Sequence, residues 1–596
     1  MEPKVFYTNT ILELEKKLKK LQQKKTSFGI LRLGSIIAII AAFYVLWSIG
    51  TGYVIMVSIA LLVVFIRVLF ADLKNKSAIE HANRLININK DELSFLEGDF
   101  HQFPDGSEFI HEDHLYANDL DIFGKSSLFQ YLNRTGSEMG SRSLATYLKA
   151  PASIELILQR QQAIQELSKK VEWIQSLQAK GKEQRITFAT KERLEKWIEE
   201  PPVFSPFKPW KWLRYLLPAI ILTVVALYFF DKIPAGLFYF SLFIFAAIAY
   251  QINKYVAPIH EQLSKIAGEL EIFSASIRHI ENEIFSSDLL KQLQSGFIHR
   301  QQKASRDISI LQKLLDRLDL RYNILVSIPL NILLLWNLQQ VLDLEKWKSS
   351  RKKTMHVWFD ALGHMEALNS LSVLRFNEPA WVFPKVVPDY FMMEAKAMGH
   401  PLIADSKRVN NDIDIKHNSE LMLVTGSNMA GKSTYLRSGG VNVILAMAGS
   451  VVCASGCTVS HVQLISSMRI ADNLAESTST FYAELKKLKT IIDKVNAGDK
   501  VFILLDEILR GTNSLDRHTG SVALMKQLIK HKAAAIIATH DLELATLKNE
   551  YPENIINYHF DVQVSNDELY FDYRLKPGVC NSLNASILMK KIGIEL

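Results

Sequence analysis

The residues from Val424 to Thr434 read Val-Thr-Gly-Ser-Asn-Met-Ala-Gly-Lys-Ser-Thr, with Gly426, four residues, and then Gly431, Lys432 and Ser433. An apolar run, Leu421 to Val424, leads into them, and a helix-compatible segment follows. Glycines at these positions let backbone N–H groups turn inward around phosphates, as in a phosphate-binding loop. Lys432 is placed to reach the β- and γ-phosphates of ATP, and the Ser433 hydroxyl to help hold Mg²⁺. A plain Gly/Ser turn is the competing reading, and the spacing argues against it. About 75 residues further on, the apolar run Val501 to Leu505 ends in Asp506 and Glu507, where open α/β sheets place their ligands. Asp506 is the candidate for the Mg²⁺ shell, and Glu507 for orienting or deprotonating an attacking water. Ala533 to Thr539 is a further predicted strand, and His540 at its end can bond the γ-phosphate or the water. Together these parts predict phosphoryl transfer to water, driven by positioning and electrostatics.

The loop with its continuation, Thr425 to Arg437, resembles the nucleotide loop of MutS-family DNA mismatch repair ATPases, and its Asn-Met-Ala-Gly-Lys-Ser-Thr core is more specific than a generic phosphate loop. Three further blocks follow in the family's order. Asp472 to Ala475 with Ser479, Thr480, Phe481 and Glu484 resembles the signature segment. Leu505 to Ile508 with Arg510, Gly511, Thr512 and Asp516 resembles the second carboxylate motif, and Ala538 to His540 with Glu543 and Leu544 the histidine segment. Upstream, His400-Pro401 and Asn411-Asp412 resemble the approach to the site, so the resemblance implies a nucleotide contact by Asn411. It also implies a composite site across an ATPase dimer, in which Ser479, with Thr480, would reach the γ-phosphate held by the opposite subunit. Weaker similarity covers Ser127 to Leu167, like the start of the MutS core or lever domain, and Trp358 to Phe383, like the helices leading into its ATPase.

The departures place the chain in a divergent branch. Ser427 stands where the family usually has Pro, Ser477 and Leu509 where Gly is usual, and Asn513 where Ser is usual. The stretch before the core-like segment holds an apolar hairpin in place of a mismatch-reading domain. The expectation is therefore of no mismatch-reading domain carrying a Phe-x-Glu wedge of the kind that unstacks and kinks DNA.

The rest of the chain must position these residues. Its 596 residues predict several domains. A hydrophobic content of 48% beside 22% charged residues fits a soluble body carrying membrane segments. A net charge of +7 permits nucleic acid or an anionic membrane surface as partner and proves neither. Cys453, Cys457 and Cys580 exclude a disulfide framework, and Cys453 with Cys457, lacking further ligands nearby, reads as small buried side chains rather than a zinc site. After a lysine-rich helix, Leu33–Ile49 and Tyr53–Ile66 are apolar arms of about 17 residues or slightly shorter, joined at Gly50-Thr51-Gly52, and they predict a transmembrane hairpin. A second is predicted at Tyr215–Phe230 and Leu237–Tyr250, with Trp210, Trp212, Tyr215, Tyr250 and Tyr255 as interfacial aromatics. Lysines and arginines flank the outer ends of both hairpins, which predicts four spans in the cell membrane with both tips outside and the ATPase and both termini cytoplasmic. A third apolar run, Ile324 to Trp336, is too short to span and is expected to be a buried helix.

The expected fold is therefore an α/β, ABC-type P-loop ATPase domain at the C-terminus, preceded by an α-helical MutS-core-like region that transmembrane hairpins interrupt. The expected domains are a basic helix (1–28), hairpin 1 (29–72), a helical core-like segment (77–209), hairpin 2 (212–254), a helical lever segment (255–394) and the ATPase (395–596). Two functions stand at this point. One is a membrane-anchored MutS-like ATPase that binds ATP and Mg²⁺, acts as a homodimer and moves a helical lever on DNA. The other is an ABC-like ATPase driving transport or a membrane scaffold without DNA. No basic patch interleaved with aromatics supports DNA independently of the resemblance. The lysines near the N-terminus are explained by anionic lipid and topology.

Overall fold

The computed structural model describes residues 2–48, 50–299, 301–416, 420–427, 430–468, 480–565 and 568–580. The chain divides into two compact units. One comprises Met1–Arg134, Leu144–Ala179 and Asn369–Leu596, the other Thr135–Ser143 and Lys180–Leu368.

In the first unit the lysine-rich stretch and the first apolar arm form one helix, α1 (Pro3–Leu46). The second arm continues as α2 (Thr51–Leu96), well past the apolar residues. Gly50, at φ 148°, makes the turn between them. The two helices pack along one another, with Arg32 paired to Asp72 at 3.1 Å just below the apolar arms and the Asn75 side chain donating to the Leu21 carbonyl. Beyond that pair the large apolar side chains, among them Ile37, Ile40, Ile55 and Ile59, face outward. The foot of the hairpin is tied down by buried polar groups. The Tyr7 hydroxyl donates to Asn377 Oδ1 at 2.6 Å, Asn377 donates to Glu92, and Glu92 pairs with Arg134 at 2.5 Å. The Arg134 guanidinium lies over the rings of Phe95 and Phe103.

In the second unit, α3 (Trp210–Phe229) and α4 (Ala235–Ser264) form the second apolar hairpin, turned at Asp231 with φ 54°. Further along lie α5 (Ile324–Leu334) and α6 (Trp336–Arg351), separated by Leu335 in the left-handed conformation, φ 47°. The expectation of a buried helix at Ile324 fails, since α5 has no buried residue. Apolar composition without a helical stripe cannot say whether a segment is covered by protein or by something else. Among the described residues, four helices are long and apolar enough to cross a membrane.

The C-terminal part of the first unit is α/β. A four-stranded mixed sheet has the order β1-β5-β2-β3, with β1 (Lys385–Val387), β2 (Met393–Met398), β3 (Asn411–Ile415) and β5 (Gly456–Ser460). A six-stranded sheet contains β4 (Leu421–Thr425), β6 (Gln463–Ser467), β7 (Val501–Asp506), β8 (Ala534–Thr539), β9 (Ile555–Ser565) and β10 (Glu568–Pro577), in the order β10-β9-β4-β8-β7-β6. Among the described residues, only the β9–β10 pair in this sheet is antiparallel. β4, β7 and β8 are apolar on both faces because helices cover both sides, and every one of their residues is buried. The covering helices include α7 (Lys432–Ala448), α8 (Thr480–Asn496) and α9 (Ser514–Lys530). α7 starts at Gly431 and stops at Gly449, both left-handed, and the Gly449 N–H closes its last turn onto Leu445 and Ala446 carbonyls.

Candidate active site

Sheet register brings the predicted residues together. Ala538 of β8 lies opposite Val424 on one side and Asp506 on the other, so three strands end level at Thr425, Asp506 and Thr539. The loop after β4, Glu507 after β7 and His540 after β8 therefore emerge at one edge. The Glu507 N–H donates to the Ala538 carbonyl at 2.9 Å and fixes the first residue of that loop.

The glycines of the loop after β4 are demanded by close approach. A Cβ on Gly426, φ 146°, would lie 2.8 Å from the Phe560 carbonyl oxygen, and one on Gly431, φ 108°, would lie 3.1 Å from the Tyr573 ring. Lys432 is buried, and its ammonium donates to the carbonyls of Gly426 at 2.6 Å and Ser427 at 2.9 Å. Burial lowers its pKa from the usual lysine value, while the charges of Glu507 and Asp506 oppose that shift. Gly431, Lys432, Ser433 and Thr434 line a cavity of about 660 Å³ together with Ser427, Asn411, Asp506 and Glu507. That volume suits a nucleotide-sized ligand, since small-molecule sites span about 300–1,000 Å³. The Ser433 hydroxyl and Asp506 carboxylate offer the hard oxygen donors that Mg²⁺ takes, and both face this cavity.

Glu507 stands in the left-handed region at φ 55° and holds two partners: His540 Nδ1 lies 3.4 Å from one carboxylate oxygen and Arg510 Nε 3.2 Å from the other. Ala430 is buried within the loop, its N–H donating to the Ser427 carbonyl. Asn411 reaches the cavity, yet its amide is engaged by β10, donating to the Tyr573 carbonyl and accepting from the Leu575 N–H. His400 folds back so that its Nδ1 accepts from Leu402, and burial lowers its pKa to about 4, which leaves the ring neutral. Asn428, Met429 and Ser479 lie outside the described residues, and Thr480 opens α8.

Several contributing residues carry no role in the sequence reading. Arg510 spans both carboxylates, with Asp506 Oδ2 at 3.5 Å, and also donates to the Asp506 carbonyl; its position three residues after Glu507 was the available signal. Glu484 of α8 accepts the Leu509 N–H at 2.5 Å, tying the helix that follows the signature segment to the loop that carries Glu507. Burial raises its pKa. Phe560 and Tyr573, from the β9–β10 pair, bound the cavity with aromatic surface, and no local pattern announces them.

Residues 422–590 match the family model for MutS domain V. Over this stretch the chain is similar to the MutS family. The matched residues include the loop after β4, both carboxylates and His540. A DNA mismatch repair protein MutS of Persephonella marina is 32% identical over 238 residues, 39% of this chain and 27% of that protein. One of Ehrlichia chaffeensis is 36% identical over 224 residues, 37% of this chain and 27% of that protein. The alignments thus span about a quarter of the length of these MutS relatives.

Proposed function

We propose that the chain is a membrane-anchored, MutS-type ATPase with an ABC-type P-loop fold, whose nucleotide state moves the helical lever segment on DNA. The observation that carries the ATPase reading is the single cavity lined by Lys432, Ser433, Asp506 and Glu507. The Lys432 ammonium and the backbone N–H groups of the loop after β4 would hold the phosphates. Ser433 and Asp506 would hold Mg²⁺, which when bound would neutralise phosphate charge. Glu507 takes the proton of the attacking water, and His540, 3.4 Å from it, orients that carboxylate. Arg510, 3.2 Å from the other carboxylate oxygen, holds Glu507 from its second side.

The membrane part of the proposal rests on α1 to α4, whose apolar side chains face outward where a soluble protein would bury them. Charged residues gather at the outer ends of both hairpins, which supports a cytoplasmic ATPase. DNA enters through the relatives, which are named as mismatch repair proteins.

The test is Mg-ATP hydrolysis by the full chain in detergent, with homoduplex, mismatched and branched DNA. Glu507→Gln is expected to lower turnover by about 10²–10⁴-fold with ATP binding retained. Unchanged turnover removes Glu507 from the chemistry. Absence of DNA binding at low salt, where phosphate contacts are strongest, removes DNA as the ligand.

A further inference from the structure

We infer that α5 is a lipid-inserted interfacial helix beside the second hairpin, too short to span. This rests on the membrane reading of α3 and α4. Residues 322–342 carry no charge, and α5 is apolar all round rather than along a stripe. Such a helix is normally enclosed by protein or by lipid. Protein does not enclose it: Leu325 is 87% exposed, Ile324 69% and Ile328 56%. At 11 residues it is about 16 Å long, half the thickness of a hydrocarbon core of about 30 Å.

Its surroundings point to lipid rather than water. α5 packs against α3 and α4, the two helices of that hairpin, and its open face is apolar as theirs are. At Leu335 the chain bends by 76° into α6, which is well buried and leads away. The beginning of α6 is moored at the charged ends of the hairpin helices: Asn337 bonds Asn253 at 3.1 Å, and Arg214 bonds Gln339 and Asp343. Exposed Trp212 and Tyr255 lie two residues in sequence from Arg214 and Asn253, as aromatics at a membrane interface do. The polar side chains inside the segment are satisfied locally. Asn331 donates to the Ser327 carbonyl, and its own oxygen accepts the Asn337 N–H, which closes the bend without water.

The experiment uses the full chain, with Cys453, Cys457 and Cys580 replaced by Ala, in phosphatidylethanolamine/phosphatidylglycerol vesicles. Environment-sensitive dyes are placed by Leu325→Cys or Ile328→Cys, with Leu222→Cys on α3 as a membrane reference and Leu515→Cys on α9 as an aqueous one. The expected result is blue-shifted emission from both α5 sites, with greater loss of intensity to a quencher at shallow bilayer depth than to one at the bilayer centre. Water-like emission and quenching by aqueous iodide at α5, with Leu222→Cys still in lipid, overturns the inference and leaves the anchor standing. Aqueous behaviour at Leu222→Cys as well overturns the membrane reading itself. Blue-shifted emission without lipid quenching, joined by crosslinking between copies at Leu325→Cys, assigns the face to a second copy and also overturns the inference. Hydrogen exchange of residues 324–334 in nanodiscs reads the unmodified chain: protection matching α3 is expected, and exchange as fast as an exposed loop overturns it.

Discussion

Leu509 shows how a single residue can depart from a family pattern and stay tolerated. It occupies the left-handed region at φ 60°, where the resemblance places glycine, yet its side chain is buried in the core against Gly520. Packing there outweighs a backbone penalty of about 1–2 kcal/mol. Leu509→Ala is expected to destabilise by about 2–4 kcal/mol through lost packing. Leu509→Gly should melt no lower than Leu509→Ala, because relief of the backbone offsets the missing methyl; a clearly lower melting temperature for the glycine variant sinks the strain argument. Glu366, buried beside Ser137, gives a pH prediction. Burial pushes its pKa up to about 7, although the Ser137 N–H and hydroxyl both donate to it. A carboxyl raised above its unfolded value favours the folded state below about pH 4.5, and that contribution fades as pH rises through about 7. The loss is about 3 kcal/mol. Thermal unfolding of the solubilised chain between pH 5 and 8 checks it: stability should fall with pH, and Glu366→Gln should flatten that fall.

At the scale of elements, the foot of the first hairpin is the decisive joint. α1 contributes Tyr7, α2 contributes Glu92, and both meet Asn377 at the end of the helix Met355–Asn377, with Arg134 closing the network. The side chains of Arg134 and Glu92 are almost fully buried, so removing one charge strands the other. Arg134→Met should cost about 3–5 kcal/mol. Replacing Glu92 with Gln in the same chain should recover part of that loss, and denaturant titration of the two variants measures the coupling. Additive effects would show that the pair contributes nothing as a pair. The sequence shows an apolar hairpin there but no partner for it, because Glu92 and Arg134 are 42 positions apart.

At the scale of the whole molecule, the proposed composite site makes a claim about two chains. A Lys432→Ala subunit keeps its signature serine, and a Ser479→Ala subunit keeps its phosphate loop. Each variant alone should be inactive, while an equal mixture should recover about a quarter of wild-type turnover, because half the dimers then hold one intact site. No recovery on mixing, with dimers verified by sedimentation, would assign each site to a single chain. Protease or thiol-reagent access to the C-terminal region in intact cells tests the orientation, and cleavage from outside would reverse it.

The sequence by itself located the glycine-rich loop after an apolar strand, the carboxylates Asp506 and Glu507 at the end of another, and four long apolar segments. Each is written in local spacing: glycines where the backbone must turn, carboxylates at the end of an apolar run, uncharged stretches of membrane length. Only the tertiary structure decided which strand ends lie side by side, and so that His540 meets Glu507 while Asn411 is engaged by β10. The order of a parallel sheet comes from crossovers between distant segments, and no residue states it locally. The fate of Ile324–Leu334 follows the same logic: composition shows that the segment avoids water, and only its neighbours show that protein does not cover it.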